Sequence, residues 1–185
     1  MTAMGADEIL KFWFDRDRKD WFRKSPELDA EIRRRFLAIY EMGASAGLDA
    51  WMQAPRTCLA LVLLLDQFPR NIFRGSAKAF AADAMARGAA RAIVDNGWDK
   101  AMTADERLFA YLPFEHSESL ADQDRCLALM TEIAVFPETA DMPKWAAAHL
   151  SIIRRFGRFP HRNVALGRIS TPEEEEFLRQ PGSSF

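Results

Sequence analysis

The chain predicts an all-α fold of about eight helices in a single domain, and three observations carry that reading. Apolar residues recur with helical spacing along nearly the whole chain, and no run alternates with the period of two that a half-buried strand needs. Helix-start signals precede the apolar stretches, and the connections between them are short. No linker is long enough to separate domains, so residues 1–185 form one unit, with a core over 7–179 and a loose tail over 180–185. Helical hairpins packed as an array or an irregular bundle follow from this pattern.

The elements can be justified in order. The first helix covers Asp7 to Asp15, with Ile9, Phe12 and Trp13 facing inward. "SPELDAEIRRRFLAIY" opens the second with Ser25 as N-cap and Pro26 at the first helical position. Ile32, Phe36 and Tyr40 line its inner face, and Gly43 and Gly47 close it. Pro55 opens a third helix through the leucines, which must break near Phe68 because Pro69 disfavours helix in the residue before it. "AKAFAADAMARGAARAIVDNG" is one long helix ending at Asn96-Gly97. Thr103 and Glu106 form the capping box of a short helix that ends at Pro113. Ser119 with Asp122 starts the next, whose inner side carries Leu127, Met130 and Ile133. Another follows Asp141 and Pro143, with Trp145, His149, Ile152 and Phe156 on one face and Gly157 at its end. Thr171, Pro172 and Glu174 open the last, where four glutamates suit the helix dipole without any partner.

Composition removes several function classes. A net charge of −2 gives no electrostatic reason to bind nucleic acid or an anionic membrane. The longest uncharged apolar run, "CLALVLLL", is far short of the roughly 20 residues a membrane span requires. "MTAMGADEIL" has no basic n-region, so a signal peptide is not supported. Cys58 and Cys126 lie far apart in apolar helical patterns, which suits a reducing cytoplasm. Metal ligation lacks HExxH or a Cys/His spacing, and GxxxxGK[ST], GxGxxG and GxSxG are absent, so neither metal nor cofactor is expected.

Chemistry concentrates in three segments. "LLLDQFPRNIFRG" sets Asp66, Gln67, Arg70, Asn71 and Arg74 against the most apolar stretch of the chain. Asp66 falls on the leucine face, where a carboxylate needs a cationic partner. Arg70 and Arg74 are nearest in sequence, and Arg158 or Arg162 can arrive from "RRFGRFPHRN", which echoes "QFPRN". Either these are structural ion pairs at helix breaks, or buried acids hold arginines around a pocket. "LPFEHSES" places Glu115 and His116 in a connection, a pair suited to acid/base work, with His161 a further proton carrier. His149, on an apolar face, is either a hydrogen-bonded core residue or a pocket residue. Arginine forks match carboxylate and phosphate geometry, while Asn71 and Asn163 add neutral hydrogen bonding. Phe68, Phe73, Phe114 and Phe159 either wall such a pocket or belong to the ordinary core.

"EILKFWFD", "LALVLLLDQFPRNIFRG", "LPFEHSE", "RFGRFPHRN" and "LGRISTPEEEEFL", together with "DAEIRRRF", resemble in order the signature segments of the bacterial domain-of-unknown-function family 924, over about Glu8 to Arg179. The resemblance implies a tetratricopeptide-like α-α superhelix and no assigned activity. Its motif positions here are Asp66 to Asn71, Glu115, His116, His149 and Arg158 to Asn163. Two functions compete. One is a pocket for a small anionic ligand, in which Asp66, Gln67, Arg70, Asn71, Arg74, His149, Arg158, Arg162 and Asn163 bind and Glu115, His116 and His161 transfer protons. The other is a protein-interaction scaffold for a peptide or protein partner, with the polar motifs structural.

Overall fold

The helix that the leucines build does not break at its proline. In the structure, a computed structural model that describes residues 3–183, α3 (Pro55–Val62) passes through a π-helical turn (Leu63–Gln67) directly into α4 (Phe68–Ile72). Phe68 keeps helical angles, φ −62° and ψ −41°, and its N–H donates to the Leu63 carbonyl five residues back. Pro69 has no N–H to give, and its ring would press on the carbonyl four residues earlier. The wider turn absorbs that conflict by shifting the hydrogen-bond register instead of ending the helix. The expected break at Phe68 is therefore a bulge, and Asp66 sits in it.

The remaining elements are α1 (Ala3–Phe14), α2 (Pro26–Ala44), α5 (Asp83–Asp95), α6 (Ala104–Glu115), α7 (Leu120–Ile133), α8 (Met142–Phe156) and α9 (Pro172–Leu178), with short 3-10 segments in every connection but that between α6 and α7. Counting 55–72 as one run, the described residues hold eight helices and no strand, an all-α single domain. Ser25 caps α2 at the Leu28 N–H, and Thr103 and Thr171 each close a capping box, as their spacing predicts. None of the described helices is long and apolar enough to cross a membrane.

Several boundaries differ from the sequence reading. The alanine-rich stretch divides into a 3-10 turn (Ala77–Phe80) and α5, and α6 continues past Pro113 to Glu115, with His116 N–H donating to the Leu112 carbonyl at 2.9 Å. The left-handed residue after α2 is Ala46, φ 63°, and neither Gly43 nor Gly47. Gly47 is needed for space, since a Cβ there would lie 3.0 Å from the Met42 carbonyl. Gly157 does end α8, with φ 69°. Trp145 has helical spacing with His149, but it is 51% exposed, whereas Ala146 beside it is the residue that α8 buries in the main core.

One core joins α1 to α7 and the start of α8, with Trp13, Phe12, Phe36, Phe68 and Phe109 at its centre. Phe12 meets Phe36 at 4.8 Å, Phe36 meets Phe68 at 4.9 Å, and Trp13 meets Phe109 edge-on at 5.4 Å. Such aromatic contacts contribute beyond their buried area. A satellite cluster of Ile152, Ile153 and Phe159, with Phe156 and Phe177 against it, packs α8 and α9. The polar motifs lie along the seam between the two.

Candidate functional site

Asp66 is fully buried at the π turn and is held from three directions. Gln67 Nε2 donates to its Oδ2 at 2.6 Å, His116 Nδ1 is 2.7 Å from its Oδ1, and Arg70 lies 3.3 Å from Oδ1. Burial by itself would raise this carboxyl. The charges of Arg70 and His116, with the His116 and Gln67 hydrogen bonds, outweigh burial and hold it well below the usual carboxylate range. An ionised Asp66 then fixes His116 with its proton on Nδ1, so Nε2 keeps the lone pair. His116 itself is lowered, first by burial and next by the charge of Arg70, while Asp66 pulls the other way. The result is a neutral imidazole with a buried carboxylate behind it, the arrangement that orients a general base.

His116 is placed by the turn that follows α6. Gln123, buried on α7, donates to the carbonyls of Glu115 at 2.5 Å and Ser117 at 2.7 Å. Asp122 accepts from the Ser117 hydroxyl at 2.7 Å and is itself held by Arg91. These bonds satisfy the orphan carbonyls of a helix end and leave the turn little freedom.

The two Phe-Pro echoes meet at a residue that neither contains. Asp83, the first residue of α5, takes two hydrogen bonds from Arg70, Nη1 to Oδ1 at 2.9 Å and Nη2 to Oδ2 at 3.0 Å. On the other side Arg162 Nη1 reaches the same Oδ2 at 3.4 Å. Phe80 lies under both guanidiniums, 5.5 Å from Arg70 and 4.7 Å from Arg162, and Phe159 is 4.6 Å from Arg162. Asp83 and Phe80 were invisible as site residues in the sequence, since they sit in an alanine-rich stretch with no motif of their own. Their only signal is an acid at the start of an alanine-rich helix otherwise built to pack.

Arg162 is the least compensated group in the cluster. It is 7% exposed, its bond to Asp83 is long, and its buried Nε has no hydrogen-bond partner among the described residues. Burial first, then the charge of Arg70, push it down to about 10. Glu115 and the remaining histidines complete the surroundings. Burial and then the Asp66 charge push Glu115 up to about 8, so it is protonated at neutral pH. His149 Nδ1 is 2.9 Å from the Trp145 carbonyl and 3.6 Å from Glu115, and burial pushes it down to about 3. Burial and the Arg162 charge push His161 down to about 4.

The sequence-predicted residues thus separate into two groups. Asp66, Gln67, Arg70, Glu115, His116, His149, His161 and Arg162 share one neighbourhood, in which Arg70, His116 and His161 keep partial exposure. Asn71 and Arg74 turn away to Asp29 of α2, at 2.8 Å and at 2.9 and 2.8 Å. Arg158 pairs with Glu174 of α9 through two bonds of 2.6 and 2.7 Å, and Asn163 donates to Ser170 and to Glu174. Glu174 therefore does more than favour the helix dipole: it anchors the second echo. Glu118 adds a further anchor, binding both Arg168 nitrogens at 2.8 and 3.0 Å and the Phe159 N–H at 2.8 Å. Among the described residues no group of three His, Cys, Asp or Glu is arranged to hold a metal ion. Two surface grooves lie elsewhere, one of about 300 Å³ bordered by Phe12, Arg16 and Arg35 and one of about 170 Å³ beside Arg23.

No curated protein matches the chain. Among solved structures it is similar to that of a protein of unknown function, ATU0120, from Agrobacterium tumefaciens, with a TM-score of 0.89 and 40% sequence identity over 96% of this chain and 98% of that one. The family model described as a bacterial protein of unknown function (DUF924) matches residues 9–182, the span in which every residue of the cluster lies. The chain belongs to the DUF924 family.

Proposed function

We propose that the cluster of Arg70, Arg162, His116 and Asp66 binds the anionic group of a small molecule, a carboxylate or a phosphate, and that the Asp66–His116 pair is poised to move a proton beside it. One observation carries this reading: Arg162, a buried guanidinium whose Nε lacks a partner and whose nearest carboxylate is already claimed by Arg70. A buried charge left so incompletely matched is costly, and an anion would relieve it. Purely structural arginines look different here, as Arg158 on Glu174 and Arg74 on Asp29 do, with short bonds from both Nε and Nη2. Glu115, kept protonated, and His161 stand near enough to feel the same charges and extend the proton-transfer set. Two free, buried cysteines suit a reducing cytoplasm as the working compartment.

The test is thermal unfolding in sodium phosphate and in sodium acetate at constant ionic strength. Ligand that binds only the folded state should raise the midpoint of the parent chain by a few degrees at concentrations well above Kd. Arg162→Gln should abolish the rise. An equal rise in both proteins would defeat the proposal. The scaffold reading, a tetratricopeptide-like surface for a protein partner, draws on Val164 and Ile169, 91% and 89% exposed on the loop after Arg162. It predicts no anion effect in either protein.

A further inference from the structure

Any anion that binds here disturbs an even charge balance. Asp66 and Asp83 face Arg70 and Arg162 in ion pairs, and Glu118, whose charge also reaches Arg162, is paired with Arg168, so three acids stand against three bases. An anion seated on Arg162 adds a charge that none of these groups offsets, in a place sheltered from water where uncompensated charge is expensive. His116 is the group placed to answer it. Its Nδ1 lies 2.7 Å from Asp66, so an imidazolium formed there already has its counter-charge. What keeps the ring neutral is burial together with the positive charges of Arg70 and Arg162. An anion on Arg162 cancels part of that repulsion.

We propose, resting on the anion-binding reading above, that the site takes a small monocarboxylate side-on at the Nε edge of Arg162 and that His116 takes up one proton as the carboxylate binds. The side-on approach follows from the guanidinium. Phe80 and Phe159 lie 4.7 and 4.6 Å from its centre, and Nη1 is turned to Asp83. That leaves the Nε edge, where two parallel N–H groups match the two oxygens of a carboxylate. Charge selects a monoanion, since a single proton on His116 restores neutrality.

The other titratable groups around His116 act on this linkage in the same direction or not at all. Asp66 and Arg70 come from the helical run 55–72, Glu115 precedes it on α6, His149 comes from α8, and His161 and Arg162 from the 3-10 turn (Pro160–Arg162). His149 stays neutral, its Nδ1 at the Trp145 carbonyl. His161, next to Arg162, adds a second, weaker proton acceptor of the same sign. Glu115, pushed up to about 8, is partly ionised at the alkaline end of the titration, where it opposes an incoming anion and so adds to the same pH dependence.

Calorimetric titration of the full chain with sodium acetate tests this, at fixed ionic strength from about pH 7.5 to about pH 5.5 and in two buffers of different ionisation heat. Acetate is ionised through this range, so protons taken from the buffer end on the protein. The Kd should fall by up to about tenfold per pH unit as the pH drops across it, the steepest part marking uptake that approaches one proton per acetate. His116→Asn should bind acetate with a flatter profile and less proton uptake. Arg162→Lys, which keeps the charge but loses the Nε edge, should weaken acetate about tenfold or more. Binding that depends on Arg162 but shows a flat Kd and equal heats in both buffers would overturn the proton uptake and leave the anion site standing. Binding of sulfate without acetate would overturn the carboxylate assignment. Acetate binding unchanged in both Arg162→Gln and Arg162→Lys, or no binding of either anion to the folded parent, would overturn the anion site and the linkage with it.

Discussion

At the scale of single residues, Asp83 has the widest reach of any acid in the cluster. It holds Arg70 with two bonds and Arg162 with one, so its removal takes the ion-pair partner of Arg162 and leaves Arg70 to Asp66 alone. Breaking a buried ion pair from one side costs about 3–5 kcal/mol. Asp83→Ala should therefore lose about that much stability in urea unfolding, whereas Asp29→Ala, whose partner Arg74 is 40% exposed, should lose about 1 kcal/mol or less. The contrast also marks what the sequence could show. Asp66 with Arg70 is an i,i+4 pair, and the likeness of "QFPRN" to "RFPHRN" pointed to Arg158 or Arg162 as a visitor from afar, of which only Arg162 arrives. Asp83 could not be foreseen, because its role depends on where α5 begins in space and not on any neighbour along the chain.

The elements show a similar division between local and tertiary causes. Caps were legible because they are local: Ser25, Thr103 and Thr171 each bond a backbone N–H within three residues. The π turn was not, because Pro69 alone says that a normal helix is impossible and leaves open whether the chain stops or widens. Packing of Phe68 against Phe12, Trp13 and Phe36 decides for widening, since a break there would pull an aromatic ring out of the core. Trp145 failed in the opposite sense: its spacing is right for burial, but α8 buries Ala146 at that turn and leaves Trp145 half-exposed. The short helix α9 depends on its start. Thr171→Ala should cost about 1 kcal/mol in thermal unfolding. Glu174→Ala should cost more, since that carboxylate caps the helix and also holds Arg158 and Asn163.

For the whole molecule, burial of titratable groups at the seam shapes the dependence of stability on pH. Glu115 rises from 4.5 to about 8 on folding, so the folded chain binds the extra proton. Its contribution is complete below the lower value and is lost as the pH climbs through the higher one. His149 and His161 fall from 6.5 to about 3 and about 4, and they oppose folding as the pH drops below 6.5. Stability should thus decline on both sides, and Glu115→Gln should remove the decline between pH 6.5 and about 8 while leaving the acid limb, as measured by urea unfolding at a series of pH values. The all-helical, single-domain character was readable in the periodicity alone. The seam was not, since it arises where the satellite cluster of α8 and α9 docks on the main core. Because one oxygen of Asp83 is gripped by arms from either side of that boundary, front and rear of the protein are pinned by a common rivet. Whatever neutralises that rivet, whether a proton, an amidated side chain or a competing cation, slackens both arms together, and so a purely local event there is felt in parts of the chain that never touch.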